Sequence, residues 1–447
     1  MDKKAVYIET LGCQMNVADS ERAATRLRAE GYELCDSPKV ANFVILNTCS
    51  IREKAERKVF HRIDAIRRES EGILPVIGLM GCVAQLEGES LFENSPLVRI
   101  LAGTGAVDRI PKLLERIDEG ESRAIDLEGR REGESWDASP AERRSKHVAF
   151  VPVIEGCNKF CTYCIVPFSR GRERSRKASE IVSQVRELLE KGYKEVQLIG
   201  QNVNSYRPKT EEGLEGFKGA KPFARLLRAV AATGMPRIKF TTSFPRDFDA
   251  DIVEAIEEHE NLCDWVHLPV QSGSERVLRS MRRGYSVERY FEKVYAIKNS
   301  RRRLSLTSDI IVGFPGETSA EFEETLELVE RCRFDGLYIF KYSERKGTPA
   351  ASMQDSVTEA EKTGRFLALE NLQMKIQSEI YESYLGSHVK VLVEGVSARS
   401  TKDLTGHSSC NKVVNFRGTS ELIGRIVKVH IKEAKTHSLF GEFVGEA

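Results

Sequence analysis

The chain has 447 residues, 40% of them hydrophobic, with Lys+Arg 68 against Asp+Glu 67 and a formal net charge of +1. Such a composition fits a cytosolic globular protein of about two to four domains, and leaves any nucleic-acid contact to local patches rather than to total charge. No apolar run reaches the roughly 18 residues of a membrane span, the N-terminus lacks a charged start with an apolar core, and ten cysteines are too few for a disulfide scaffold.

Ala5–Ile8, Phe43–Leu46 and Val76–Met80 are short apolar runs. Between them lie Ser20–Glu30 and Glu53–Arg68, polar stretches with helical spacing. That alternation predicts a doubly wound α/β domain with a parallel sheet covered on both faces. A cysteine follows each run: Cys13 in Thr10-Leu11-Gly12-Cys13-Gln14-Met15-Asn16, Cys49 in Asn47-Thr48-Cys49-Ser50, and Cys82 in Met80-Gly81-Cys82-Val83. All three belong at the carboxyl edge of one sheet, where open α/β folds place ligands. A lone cysteine is most often a small buried hydrophobe. Three at equivalent strand ends point instead to an iron–sulfur cluster with one iron left open. Leu101–Ile117 continues the domain, and Pro111–Ile117 reads as a helix with proline in its first turn. Asp118–Ser145 is charged, aperiodic and broken by Gly and Pro, as a linker is.

Val148–Ile154 leads as a strand into Glu155-Gly156-Cys157-Asn158-Lys159-Phe160-Cys161-Thr162-Tyr163-Cys164. Three cysteines in a C-x3-C-x2-C array can bind three irons of a cubane cluster and leave the fourth open. A zinc loop would show paired C-x2-C units. Arg170–Lys177 is a basic run; it could guide phosphates or be a solvated face. Strands are expected at Glu195–Ile199, Ile238–Thr241, Trp265–Leu268, Leu304–Ile311 and Leu337–Phe340. Helices are expected at Ala178–Lys191, Phe223–Thr233, Asp249–Glu258, Val287–Lys298 and Ala320–Arg331. Six strands with interleaved helices predict a partial (β/α)6 barrel, with its site at the carboxyl strand ends. There stand Gln201 and Asn202, Gln271 and Ser272, Gly313, and Tyr342, the candidate cofactor contacts.

Thr358–Leu385 reads as a long amphipathic helix. Lys390–Val393, Val413–Phe416, Leu422–His430 and Leu439–Val444 are short β-like runs split by Gly, Ser and Asn, which predict a small β-barrel. Its basic loops and aromatics suit RNA; a purely structural barrel stays open on these residues.

These motifs resemble the methylthiotransferases, radical S-adenosylmethionine (SAM) enzymes, over essentially the whole chain. Thr10–Asn16 and Gly200-Gln201-Asn202-Val203-Asn204-Ser205-Tyr206 are similar to the MiaB subfamily; Leu268–Ser274 and Tyr342–Ala350 fit the wider family. The resemblance implies an auxiliary domain at 1–120, a linker at 121–146, a radical SAM core at 147–383 and a TRAM barrel at 384–447. It implies two [4Fe-4S] clusters, one on Cys157, Cys161 and Cys164 that activates SAM, and one on Cys13, Cys49 and Cys82 that carries sulfur. It further implies methylthiolation of C2 of N6-dimethylallyladenosine beside the anticodon, with two SAM consumed. The expected partners are a tRNA anticodon stem-loop and an electron donor such as flavodoxin or ferredoxin, with no membrane and a monomeric, cytoplasmic chain. Threonylcarbamoyladenosine or a ribosomal-protein aspartate are the alternative substrates of such enzymes. Cys35, Cys263, Cys332 and Cys410 match no ligand position and read as packing or surface thiols. The barrel is expected to add affinity while SAM cleavage survives its removal.

Overall fold

The computed structural model describes residues 4–50, 53–70, 74–131 and 133–447. These form two compact units: residues 1–145 with 150–158 and 164–176, and residues 146–149 with 159–163 and 177–447.

The first unit is built on a six-stranded parallel sheet. In chain order it runs β1 (Ala5–Leu11), α1 (Gln14–Ala29), β2 (Glu33–Leu34), β3 (Phe43–Thr48), α2 (Glu53–Glu69), β4 (Val76–Gly81), α3 (Cys82–Glu87), α4 (Ser90–Asn94), β5 (Val98–Ala102), α5 (Ile110–Asp118) and β6 (Ala124–Asp126). The strand order is β2-β1-β3-β4-β5-β6. Every residue of β3 is buried, as a central strand covered on both faces must be. On one face Ala23 and Leu27 of α1 and Ile110, Leu113, Leu114 and Ile117 of α5 pack on Val6, Phe43, Ile45 and Ile100. On the other, Val59, Ile63 and Ile66 of α2 and Leu91 and Phe92 of α4 pack on Val44, Leu46 and Leu79. The domain is doubly wound, as its alternation predicts. The order reverses between β1 and β3, and such a switch point opens a crevice at the carboxyl strand ends.

The stretch read as linker is more structured than expected. Ala124–Asp126 adds the sixth strand, pairing with β5 at Ile100↔Ala124. Beyond it Arg109 holds Asp126 at 2.6 Å and also pairs with Glu134. Three residues are too short a strand for periodicity to reveal. The unit also takes in most of β7 (Val148–Pro152), the antiparallel pair of β8 (Ile154–Glu155) with β9 (Arg174–Ser175), and α6 (Val166–Arg170) between them.

The second unit continues with α7 (Ala178–Glu190), β10 (Glu195–Ile199), α8 (Pro222–Ala231), β11 (Arg237–Phe240), α9 (Ala250–Glu258), β12 (Trp265–His267), α10 (Glu275–Ser280), α11 (Val287–Lys298), β13 (Ser305–Val312), α12 (Ser319–Cys332) and β14 (Gly336–Lys341). Every strand and helix expected here is present within one or two residues. β10 pairs with β11 in one sheet, and the other sheet has the order β12-β13-β14. β10 and β11 are parallel, as are β12, β13 and β14. Strand alternation gives each sheet a helix-facing apolar side, with Val196, Leu198, Ile238 and Phe240 all buried.

Helix α13 (Glu359–Glu382) opens on a capping box between Thr358 and Glu361, which fixes its start. It leads to β15 (His388–Ser397), β16 (Ser400–Ser408), β17 (Val413–Arg417), β18 (Ile426–Lys435) and β19 (Ser438–Glu446), a closed barrel in the order β15-β16-β17-β19-β18. Closure removes exposed strand edges. Its core is Val391, Val393, Leu404, Val414, Phe416, Val427, Val429, Ile431 and Leu439.

Candidate active site

In the first unit, Cys13, Cys49 and Cys82 follow β1, β3 and β4, three adjacent parallel strands paired from Leu11↔Thr48 to Thr48↔Gly81. Parallel pairing puts the three turns at one edge of the sheet. One side chain knits them together. Asn16 accepts from the Cys13 amide at 3.1 Å and from its thiol at 3.2 Å, and donates to Asn47 Oδ1 at 2.8 Å and the Thr48 carbonyl at 3.1 Å. Asn47 returns bonds to the Asn16 carbonyl at 2.7 Å and Ser20 Oγ at 2.9 Å. Thr48 Oγ1 donates to the Met80 carbonyl at 2.8 Å. Both asparagines are fully buried. Gly81 has φ +94°, and a Cβ there would lie 2.6 Å from Asn47 Oδ1 and 2.7 Å from the Thr48 carbonyl. Glycine is required by both conformation and space.

Cys49 and Cys82 are buried and Cys13 is exposed. A hydrogen bond from Cys49 lowers the Cys13 thiol to about 6, with further help from the Arg170 charge and the Asn16 and Met15 amides. A thiol lowered by its surroundings is poised as a thiolate ligand. Among the described residues no three His, Cys, Asp or Glu side chains converge on one metal ion. A cubane needs no such convergence, because each thiolate binds a different iron. Three cysteines ringing one sheet edge suit that donor set.

The loop 157–164 lies between β8 and α6. Cys157 is buried and its amide donates to the Gly171 carbonyl at 3.1 Å. Gly156, with φ +81°, lies where a Cβ would strike the Arg172 carbonyl. Cys164 is half-buried. Cys161, in the second unit, is buried and accepts from Arg283 Nη1 at 3.5 Å. Arg283 is buried too, donating to the Pro269 carbonyl at 2.7 Å and stacking over Phe244 at 4.5 Å. Sequence reading missed it: one arginine among many carries no signal of burial.

The second unit holds strained backbone at Phe160 in the cysteine loop and, beyond β11 and β12, at Thr242 and Gln271, with φ of +49°, +65° and +81°. Non-glycine residues persist there only when their surroundings over-determine them, and such residues cluster at functional sites. The buried Ser243 Oγ and Tyr342 hydroxyl have no hydrogen-bond partner. An orphaned buried polar group costs about 1–3 kcal/mol unless a ligand satisfies it. Tyr342 packs edge-on against Phe314 with ring centroids 5.5 Å apart. Its hydroxyl is pushed up to about 12 by burial and then by Glu344 and Asp355, so it is held as a donor. Gln271, beyond β12, bridges to β13: its amide donates to the Asp309 carbonyl and its carbonyl accepts from Ile311. The Gly313 amide donates to Glu317 at 2.7 Å. Ser272 Oγ accepts from the Ser274 amide at 3.2 Å and meets Thr325 Oγ1 of α12 at 3.4 Å, so its own turn and α12 engage it. Gln201 is half-buried and Asn202 buried beyond β10. Asn204, not singled out from sequence, exchanges two 2.8 Å bonds with the Phe244 backbone and ties the ends of β10 and β11.

The face of β12, β13 and β14 opposite Ser308 and Ile310 carries His267, Thr307, Asp309, Tyr338 and Phe340. His267 meets Thr307 Oγ1 at 2.9 Å and Asp309 Oδ1 at 3.3 Å. Tyr338 stands edge-on to His267 at 5.8 Å. Tyr338 and Phe340 are 53% and 41% exposed, an aromatic ledge on an open face.

Comparison with known proteins agrees with this architecture. Residues 151–329 match the radical SAM superfamily, 5–103 the uncharacterized protein family UPF0004, and 382–444 the TRAM domain. A tRNA-2-methylthio-N(6)-dimethylallyladenosine synthase of Solibacter usitatus is 44% identical over 98% of this chain and 98% of its own. One of Bacillus subtilis is 43% identical over 100% of this chain and 87% of its own. The chain belongs to the family of radical SAM methylthiotransferases that modify tRNA. Its cofactors are accordingly SAM and iron–sulfur clusters, and its TRAM barrel is an RNA-binding type of domain. The structure of the radical SAM methyltransferase TsrM from Kitasatospora setae, with cobalamin and a [4Fe-4S] cluster bound, shares the fold at a TM-score of 0.56 and 14% identity over 78% of this chain and 74% of that one. Among the described residues no helix is long and apolar enough to cross a membrane.

Proposed function

We propose that this chain installs a methylthio group at C2 of N6-dimethylallyladenosine beside the tRNA anticodon, consuming two SAM and drawing sulfur from an auxiliary cluster. The observation that carries the reading is the trio of neighbouring strand ends bearing Cys13, Cys49 and Cys82, knitted by Asn16 and Asn47. An activating loop alone would not need a second site built so firmly. In this reading residues 1–120 hold the auxiliary cluster, 121–146 connect, 147–383 form the radical SAM core and 384–447 grip RNA. Cys157, Cys161 and Cys164 hold the other cluster, which when bound supplies the electron that cleaves SAM, chemistry no side-chain base performs.

The protein's own residues bind and orient. Tyr342 and Ser243 donate toward the cofactor at the strand ends, where Gln201, Asn202, Gln271, Ser272 and Gly313 also stand. Arg283 fixes the Cys161 turn. A target base leaves its stack to reach such a site, and flipped bases rest on aromatic faces; Tyr338 and Phe340 offer one. The reductant is a flavodoxin or ferredoxin, and the chain works as a cytoplasmic monomer.

The test is mass spectrometry of tRNA nucleosides after reaction with anaerobically reconstituted protein. Prenylated adenosine should gain the methylthio group; a product on threonylcarbamoyladenosine alone overturns the substrate. Replacing Cys13, Cys49 and Cys82 by Ala should leave 5′-deoxyadenosine formation and abolish methylthiolation. Product near the wild-type rate from that variant would end the sulfur-carrier role.

A further inference from the structure

The basic run Arg170–Lys177 is only partly a surface strip: Arg172 and Lys177 are exposed. Arg170 and Arg176 are buried, and Arg176 pairs with Asp137 at 2.5 Å. Arg170 ends α6, which packs against α3, the helix that Cys82 opens. Its side chain is 2% exposed. Nη2 donates to Asp19 Oδ2 at 2.8 Å and Nη1 to Glu155 Oε1 at 3.4 Å. Asp19 lies six residues along α1 from Cys13, and Glu155 two residues before Cys157. Arg22 stands 3.7 Å from Asp19, while Arg130 and Arg174 stand 3.2 and 3.7 Å from Glu155. Two carboxylates are thus set among four guanidinium groups, with Arg170 tied to the helix that Cys13 caps and lying on the helix packed against the one that Cys82 opens.

A guanidinium cannot shed its proton, and burial removes the water and salt that would screen it. A cluster held by three thiolates grows more negative on reduction, and its potential follows the local charge, hydrogen bonding and exposure. We infer that Arg170 is a positioning residue that sets the reduction potential of the cluster on Cys13, Cys49 and Cys82, with Asp19 and Glu155 holding its charge in place. The inference rests on those cysteines being ligands. It assigns a burial-fixed cation to the sulfur-bearing site, distinct from the groups that meet SAM.

The experiment uses the full chain with Cys157, Cys161 and Cys164 replaced by Ala, so that one cluster remains to be titrated. Iron content and the midpoint potential, followed by electron paramagnetic resonance, are measured with Arg170 present, in Arg170→Gln and in Arg170→Lys. Equal iron with a midpoint moved to more negative potential in Arg170→Gln, and restored in Arg170→Lys, supports the inference. Equal iron with an unmoved midpoint in Arg170→Gln overturns it. Should Arg170→Gln hold no iron, Arg170→Lys decides: iron retained at the parent midpoint supports the charge, while iron lost again or a displaced midpoint overturns it. A parent protein without iron would instead sink the ligand reading itself.

Discussion

Asn16 commits both ends of its amide to the three turns that carry Cys13, Cys49 and Cys82. Asn16→Ala strips partners from Asn47 and from the Thr48 carbonyl, both buried. The expected loss is about 1–3 kcal/mol of stability, seen in urea unfolding, together with loss of the auxiliary cluster's iron while SAM cleavage remains. Unchanged iron in Asn16→Ala would show that the cysteines need no such clamp. The thiols outside the two triads should behave as inert packing. Cys263 and Cys332 are buried, and burial pushes the Cys332 thiol up to about 12. Iodoacetamide should leave both unlabelled in the folded protein, because the thiolate is the reactive form. At this scale spacing makes the cysteines legible from sequence, since C-x3-C-x2-C and three strand-end positions are patterns. Asn16, Asn47 and Arg283 form no pattern; their importance comes from burial, which only the folded chain shows.

Helix α12 illustrates what an element's start can carry. Thr318 caps it in a box with Glu321, whose carboxylate also accepts from Arg276 Nη2 at 2.6 Å. The Arg276 hydrogen bond, then the Thr318 bonds, hold Glu321 down at about 2 against burial, below its ordinary 4.5. A depressed carboxyl stabilises the fold above its unfolded value, and that contribution fades as pH falls toward the folded value. Glu321→Gln should therefore cost stability at neutral pH, and the gap in urea midpoint from wild type should close as the pH falls from 4.5 toward about 2. A gap independent of pH would mean that the charge contributes nothing. The body of α12 was legible as the helix expected at Ala320–Arg331. Other elements were not. β2 and β6 are only two and three residues long. β16 reads Ser-Thr-Lys-Asp-Leu-Thr-Gly-His-Ser, with too few apolar positions to alternate. α10 has six residues, less than two full turns. Each is imposed by its neighbours rather than by its own propensity.

The C-terminal barrel looked from sequence like an appendage that could be cut away after Leu385 without harm to the core. Within the second unit it is tied in by buried charges. Lys412 Nζ donates to Asp335 at 2.6 Å and to Ser305 Oγ at 2.8 Å, at the starts of β14 and β13. Arg237, which opens β11, donates to the His407 and Ser408 carbonyls at 2.7 and 3.0 Å. Asn411 accepts from Lys239 at 3.2 Å. Removing one partner of a buried ion pair costs about 3–5 kcal/mol. Lys412→Met should lose about that much in urea unfolding, and truncation after Leu385 should yield an unstable core rather than a competent one. A truncated chain that unfolds like the full one would contradict this. RNA affinity in the intact protein should fall with added salt, because phosphate contacts release counterions.

The tie has a consequence for how the protein is made. Asp335 waits for Lys412, which is 77 residues further along the chain. At a synthesis rate of about 5–20 residues per second, the ribosome delivers that lysine roughly 4–15 s after the carboxylate it neutralises. Throughout that interval Asp335 has Lys298, 3.8 Å away, in place of its closer partner Lys412, and Arg237 has Glu195 but lacks the His407 and Ser408 carbonyls. Pulse-labelled, arrested chains ending before Ser400 should therefore stay protease-sensitive across β11–β14, and gain protection only once the β16–β17 turn has emerged.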